Sequence, residues 1–227
     1  MGPIPIGEDR RVDVDDDKRV AAEAAAEEVA DGMVVGLGTG TTAAHLVPAL
    51  ARRGLEVRCV PTSSATAALA RDAGLDVIEF TGIDRLDLAI DGADQVTPDG
   101  WLIKGGGGAH TREKIVASAA DRFVVIVSSN KLVERLGPPV PLELLEFGLG
   151  SSLRLVGRLG PVRLREVPPS PDGGVIADLF GPVDDPAALA AELDAIAGVV
   201  AHGLFPPSLV SEVIVGGGGH ADQLVLG

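Results

Sequence analysis

Tyrosine is absent from this sequence, aromatic residues make up only 3% of it, and cysteine occurs once. So few rings leave little for base stacking or for aromatic carbohydrate platforms. The lone Cys59 cannot form an intrachain disulfide, and its strand-like surroundings mark it as a buried, bland thiol. No apolar run is long enough to span a bilayer, and the N-terminus lacks the charged-then-apolar order of a signal peptide. A cytoplasmic location is therefore expected. Positive charge is also scarce, with 19 Lys and Arg against 33 Asp and Glu and a formal net charge of −14. Neither nucleic acid nor an anionic membrane suits such a chain as a partner, because both require a basic face. The histidines His45, His110, His202 and His220 are scattered, and no spacing typical of metal ligands appears.

What is present is a globular composition, 46% hydrophobic and 23% charged over 227 residues, enough for one large domain and a smaller one. Residues 1–17, with Pro3, Pro5 and the acidic Asp13, Asp15, Asp16 and Asp17, read as a disordered acidic tail. An alanine-rich helix is expected from Lys18 to Ala30, and then strands alternate with helices as far as the strand Phe123–Val127. Pro48 is expected to kink or shorten the second helix. Such alternation implies crossover units and a parallel sheet, whose ligands sit beyond the carboxyl ends of the strands. After Leu136 the order becomes strand, helix, strand, strand, helix, strand, the split pattern of a ferredoxin-like domain. The expected fold is thus α/β, a Rossmann-like parallel-sheet domain of residues 18–136 and 208–227 with a smaller ferredoxin-like α/β domain, 137–207, inserted. The second glycine run, Gly216–Gly219, has no charged residue directly before it and is expected to form a turn.

Two stretches carry the chemistry. After the first strand comes Gly36-Leu37-Gly38-Thr39-Gly40-Thr41-Thr42, a glycine- and hydroxyl-rich turn leading into a helix, which presents amides to a phosphate. Its G-x-G-x-G spacing is not the dinucleotide fingerprint, and no Lys precedes Ser or Thr as in the nucleotide P-loop. A nicotinamide cofactor is disfavoured, and a single small phosphate suits the loop best. The second stretch is Leu86–Ala120, in which a buried strand delivers Asp91 and Asp94 to its carboxyl end. Lys104 then precedes the run Gly105–Gly108, and Thr111, Arg112 and Glu113 open a helix. Consecutive glycines allow positive φ and close approach of a ligand, and their amides favour anions. Each residue also has a plainer reading: Asp91 and Asp94 as turn formers, Glu113 as a carboxylate on the helix dipole, Lys104 as a surface charge, and Thr39–Thr42 as a helix cap.

With those residues in view, the chain resembles the ribose-5-phosphate isomerase family of type A. The blocks VGLGTGTTAAHLVPAL, PTSSATAALA, DLAIDGADQV, KGGGGAHTREKIVAS, SSNKLVERLG, PPVPLEL and GVVAHGLF carry that resemblance in order. It implies a homodimeric or homotetrameric aldose–ketose isomerase of the non-oxidative pentose phosphate pathway, interconverting ribose 5-phosphate and ribulose 5-phosphate without metal or organic cofactor. By the same resemblance Glu113 is the general base, with Asp91, Lys104 and Asp94 as further catalytic groups. Substrate binding falls to Lys18, Thr39, Gly40, Thr41, Thr42, Gly92, Ala93, Gly105, Gly106, Gly107 and Lys131. In this scheme Asp91 shuttles hydroxyl protons or opens the sugar ring, Asp94 orients Lys104 or a hydroxyl, and Lys104 with the glycine amides stabilises an ene-diolate. Gln95, His110 and Ser128 depart from the family pattern, Gln95 and Ser128 standing where an acidic residue is common. Two alternatives differ in class: a phosphosugar deaminase, which would require a site histidine such as His110, and a non-catalytic sugar-phosphate sensor.

Overall fold

The structure is a computed structural model that describes residues 14–225, without the side chains of residues 42, 43 and 225. In chain order α1 (Val14–Glu27), β1 (Val34–Leu37), α2 (Thr41–Arg53), β2 (Arg58–Pro61), α3 (Ser64–Asp72), β3 (Asp76–Val77) and β4 (Leu88–Asp91) come first. They are followed by β5 (Gln95–Val96), β6 (Leu102–Ile103), α4 (His110–Ala119) and β7 (Phe123–Ser128). Next come β8 (Val140–Leu144), α5 (Leu149–Val156), β9 (Val162–Leu164), β10 (Val175–Leu179), α6 (Pro186–Asp194) and β11 (Val199–His202). The last elements are β12 (Leu204–Phe205), β13 (Glu212–Gly217) and β14 (His220–Val225). Among the described residues no helix is long and apolar enough to cross a membrane.

The chain divides into two compact units. The larger holds the residues up to Ala93, Arg112–Leu132, and Pro207 onward; the smaller holds Asp94–Thr111 and Val133–Pro206. The larger unit is built on a seven-stranded sheet in the order β14-β13-β7-β4-β1-β2-β3. Every pairing is parallel except β13 with β14. Counted in chain order within this sheet, the parallel strands run 3-2-1-4-5-6, the doubly wound arrangement whose direction of winding reverses between β1 and β4. The inner strands β1, β4, β7 and β13 are mostly apolar and almost wholly buried, as helices on both faces of a parallel sheet require, whereas the edge strands β3 and β14 are partly exposed. On one face α1 and α2 pack Ala21, Ala22, Ala25, Leu46 and Leu50 against Leu37, Ile90 and Ile126. On the other, Val116 of α4 sits so close to Gly36 that a Cβ there would overlap Val116 Cγ1. Cys59 is buried in β2, and burial first, then the Asp76 carboxylate, pushes its thiol up to about 11.

Three expectations about this unit change. The helix expected at Lys18 begins at Val14, so Asp15, Asp16 and Asp17 are its acidic first turn, where carboxylates meet the positive end of the helix dipole. Residues 1–13 of the expected tail lie outside the described residues. Asp17 is only 3% exposed, and its carboxylate accepts hydrogen bonds from Ser129 Oγ at 3.3 Å and Gly218 N at 3.2 Å. Pro48 does not shorten α2, which continues to Arg53; the proline is exposed, so the backbone acceptor left without a partner can face water. Of the run Gly216–Gly219, expected to form a turn, Gly216 and Gly217 instead end β13, and only Gly218 and Gly219, at φ of 60° and 84°, form the two-residue connection of the β13–β14 hairpin.

In the smaller unit β8, α5, β9, β10, α6 and β11 follow in the expected order and form a four-stranded antiparallel sheet, β11-β8-β10-β9. One face of it packs Val140, Leu142 and Leu144 with Val156, Leu189 and Leu193 of the two helices. A second small sheet, β12-β6-β5, takes residues 94–111 out of the Rossmann-like domain to which the sequence reading had allotted them. The cause is non-local: Leu204 and Phe205 pair with Ile103 and Leu102. Gln95, one of the departures from the family pattern, accepts from Gly137 N and donates to Gly137 O, both at 2.8 Å.

Replacing Asp17 with Ala leaves a hydroxyl and an amide without their acceptor and is expected to cost about 1–3 kcal/mol of stability, measurable by urea unfolding.

Candidate active site

In the larger unit the candidate residues gather at the carboxyl edge of the parallel sheet. Strand alternation turns Ala89 and Asp91 to the α4 face of β4, and continues Gly36 into Gly38 on the same face of β1. Gly38 meets Asp91 there, and a Cβ at this glycine would overlap the carboxylate. The approach is locked by Gly38 N donating to Ile90 O at 3.0 Å. Asp91, 4% exposed, uses Oδ1 to accept Thr39 N at 3.2 Å and Gly92 N at 2.7 Å. The loop is fastened from its other side as well. Thr66 Oγ1 donates to Gly38 O at 2.9 Å, Thr62 Oγ1 donates to Leu37 O at 3.2 Å, and the hydroxyls of Thr62 and Thr39 lie 2.8 Å apart.

This changes the part given to Thr39. Its amide and its hydroxyl both serve the loop, so Thr39 shapes the phosphate candidate rather than supplying its donors. Gly92 likewise directs its amide at Asp91. Gly40, at φ 107°, is the N-cap of α2 and brings no side-chain cap, which removes the helix-cap reading of the threonines. Thr41, the first residue of α2, is exposed, while the Thr42 side chain lies outside the described residues.

Glu113 lies in the first turn of α4 and is 5% exposed. Because α4 precedes β7, it runs against the strands and its first turn falls at their carboxyl edge, on the face to which Asp91 points. Lys131 closes the short turn Ser129–Lys131 directly after β7, and Lys18 follows Asp17, which is tied to Ser129. Both lysines are half-buried at this same edge.

In the smaller unit Lys104 is 3% exposed, with its backbone N donating to Gly203 O at 2.9 Å and its Nζ 5.5 Å from the centre of the Phe205 ring. The glycine run behind it is shaped on both sides. Gly105 takes φ 103°, and a Cβ on it would come within 2.7 Å of His110 Nδ1. Gly106 N donates to Asp94 Oδ2 at 2.8 Å, and Gly108 N donates to Gly105 O at 3.0 Å. Two of the four amides expected to face an anion are therefore engaged within the protein. Asp94, expected to orient Lys104 or a hydroxyl, orients the glycine run. Ala93, joining Asp91 to Asp94, is half-buried. His110, the histidine a deaminase would need, has no exposed surface and packs beneath Gly105.

The sequence reading missed two groups. Glu143, 2% exposed in β8, accepts hydrogen bonds from Thr111 Oγ1 and Ser170 Oγ. Thr111 is the second residue of α4, so Glu143 fixes the start of the helix that carries Glu113. Arg165 donates to the carbonyls of Gly105 and Gly106. A lone Glu in an apolar strand was the one available signal for the first; nothing local marks the second.

Gly38→Ala is expected to cost about 1–3 kcal/mol of stability by urea unfolding, because either the loop or the Asp91 carboxylate must move. Gly82→Ala, where a Cβ meets open space, is expected to stay within about 0.5 kcal/mol of the parent.

Known proteins resemble this chain in both sequence and fold. The sequence profile of the family Ribose 5-phosphate isomerase A (phosphoriboisomerase A) matches residues 58–219. A ribose-5-phosphate isomerase A of Caulobacter vibrioides is 49% identical over 215 residues, covering 89% of this chain and 94% of that protein. The crystal structure of ribose 5 phosphate isomerase A from Neisseria gonorrhoeae superposes with a TM-score of 0.90 at 34% identity, over 94% of this chain and 98% of that one. A D-ribose-5-phosphate isomerase in complex with phospho-erythronic acid gives a TM-score of 0.86 at 34% identity, over 92% and 97%. With nearly half of its residues shared over almost its full length, and with the fold shared as well, the chain belongs to the ribose 5-phosphate isomerase A family.

Proposed function

We propose that the chain interconverts D-ribose 5-phosphate and D-ribulose 5-phosphate through an ene-diolate. Moving a carbonyl from C1 to C2 means removing the proton on C2 and returning it to C1. A single carboxylate on one face of the open-chain sugar can do both, as base and then as acid. Glu113 takes that part. The observation that carries the reading is its burial in the first turn of α4, at the carboxyl edge of the sheet and on the face to which Asp91 points. Burial keeps competing water from the carboxylate, and the edge is where doubly wound sheets bind ligands.

While the proton is held on Glu113, the sugar carries negative charge on oxygen. Lys104 and the glycine run stabilise that charge more than they stabilise the neutral carbonyl, which is how they lower the barrier. Asp91 moves the hydroxyl protons between O1 and O2 and assists ring opening, using the carboxylate that also shapes the Gly38–Thr39 loop. Asp94 keeps the Gly106 peptide in place. The phosphate is held by the Gly40–Thr42 segment with Lys18 and Lys131, and Gly92 and Ala93 line the sugar. Holding the substrate at its phosphate can supply several kcal/mol towards the transition state by restricting the reacting carbons.

The family relationship supports the substrate, and the bound phospho-erythronic acid of one structural relative, a phosphorylated sugar acid, supports a site that accepts an acyclic phosphosugar with an anionic end. Full burial of His110 weighs against the deaminase alternative. A homo-oligomer in the cytoplasm belongs to the same reading and is supported by the family resemblance.

Glu113→Gln is the deciding variant. Its kcat is expected to fall by about 10²–10⁴-fold in an assay of ribulose 5-phosphate formation. Thermal stabilisation by ribose 5-phosphate should persist. Turnover near that of the parent would remove Glu113 as the base.

A further inference from the structure

The contacts of Arg165, which has no part in the scheme above, extend it. Arg165 follows β9, and its backbone N donates to Ile176 O at 2.9 Å. Nε and Nη2 donate to Asp178 Oδ2 and Oδ1 at 2.8 and 2.6 Å, a forked pair in which each side chain is 17% exposed. Such bidentate pairing fixes the plane of the guanidinium as well as its position. The remaining nitrogen, Nη1, donates to Gly105 O at 2.9 Å and Gly106 O at 3.0 Å. One guanidinium thus holds two successive carbonyls of the glycine run.

In a trans peptide the carbonyl and the amide that share a plane point in opposite directions. Gly105 O faces Arg165, so Gly106 N–H faces away from it, and it is indeed found on Asp94. By the same geometry Gly106 O on Arg165 sends Gly107 N–H away from the arginine. Gly106 and Gly107 are both exposed, whereas Gly105 and Gly108 are buried. The Gly108 amide closes a turn on Gly105 O. Of the amides in the middle of the run, the Gly107 N–H is the one that these contacts leave pointing outward at an exposed position. A peptide between two glycines has little steric reason to keep one orientation, so something else must select it.

We propose that Arg165, held by Asp178, is a positioning residue that turns the Gly107 amide outward as a donor to the ene-diolate oxygen. This rests on the isomerase reading. The benefit is preorganisation: a donor already aimed where charge develops needs no rearrangement during the reaction. The guanidinium does not touch the sugar, and its influence runs through two carbonyls.

The test compares Arg165→Lys and Asp178→Asn with the parent, using ribose 5-phosphate for turnover and two probes for binding. Phospho-erythronic acid carries an anionic carboxylate near the place of the reacting oxygens, whereas inorganic phosphate reports the phosphate subsite alone. In both variants kcat is expected to fall by about 10²-fold, the scale of losing one oxyanion donor, with little change in KM. Phospho-erythronic acid should bind more weakly and inorganic phosphate as before. In Arg165→Ala, added guanidinium ion should restore part of the lost kcat, a response that a collapsed fold would not give. Unchanged kcat in both variants would overturn the proposal, as would equal weakening of the two probes. Absence of turnover in the parent would instead reject the isomerase reading itself.

Discussion

The approach of the Gly38 backbone to the Asp91 carboxylate is the constraint on which the carboxyl edge of the sheet depends. It joins the ends of β1 and β4, the two strands between which the winding of the sheet reverses. A Cβ at position 38 would overlap the Asp91 carboxylate, and an acceptor at position 91 holds the amides of Thr39 and Gly92 together. The loop so fixed leads into α2 through the N-cap Gly40, which brings no side-chain cap, at the segment where the proposal places the phosphate. Thr62 and Thr66, which make no direct claim to chemistry, hold the same loop from behind.

The device recurs along the chain. Buried carboxylates are costly unless their oxygens are satisfied, and backbone or hydroxyl donors reach those of Asp17, Asp91 and Glu143. Asp17 ties the start of α1 to the ends of β7 and β13, Asp94 holds Gly106, and Glu143 holds Thr111. Each is an acidic group near a segment to which binding or proton transfer is assigned, and each has a structural task. Asp17, Asp94 and Glu143 are thus occupied with donors of the protein itself, so the strongly acidic composition is compatible with the phosphosugar site proposed, in which Lys18, Lys104 and Lys131 are the cations.

Much of this was legible in the sequence because its signals are local. The alternation of strands and helices, the glycine-rich turn after β1, Asp91 at a strand end and Glu113 in the first turn of a helix are all readable within a dozen residues. The order of the ferredoxin-like unit was equally clear. The errors came where local signals conflicted or where partners are distant. Asp15, Asp16 and Asp17 look like the end of a solvated tail, yet the same residues suit the first turn of a helix. Residues 94–111 read as part of the larger domain because β5 and β6 are too short to announce themselves, and their pairing strand lies about a hundred residues downstream. Arg165 sits in an unremarkable polar alternation, and the carbonyls it holds are 60 and 59 positions away.

The proposed chemistry reduces to the passage of one hydrogen, as a proton, from C2 to C1 by way of a side-chain carboxylate. Conversion of ribose 5-phosphate in D2O, followed by proton NMR through many turnovers, tests that passage most directly. The expected result is progressive replacement of one carbon-bound hydrogen by deuterium, at C1 of ribulose 5-phosphate and at C2 of the ribose 5-phosphate in equilibrium with it. Even a sheltered carboxyl proton is occasionally lost to solvent over many turnovers, so complete retention of hydrogen after repeated interconversion would contradict a carboxylate intermediary.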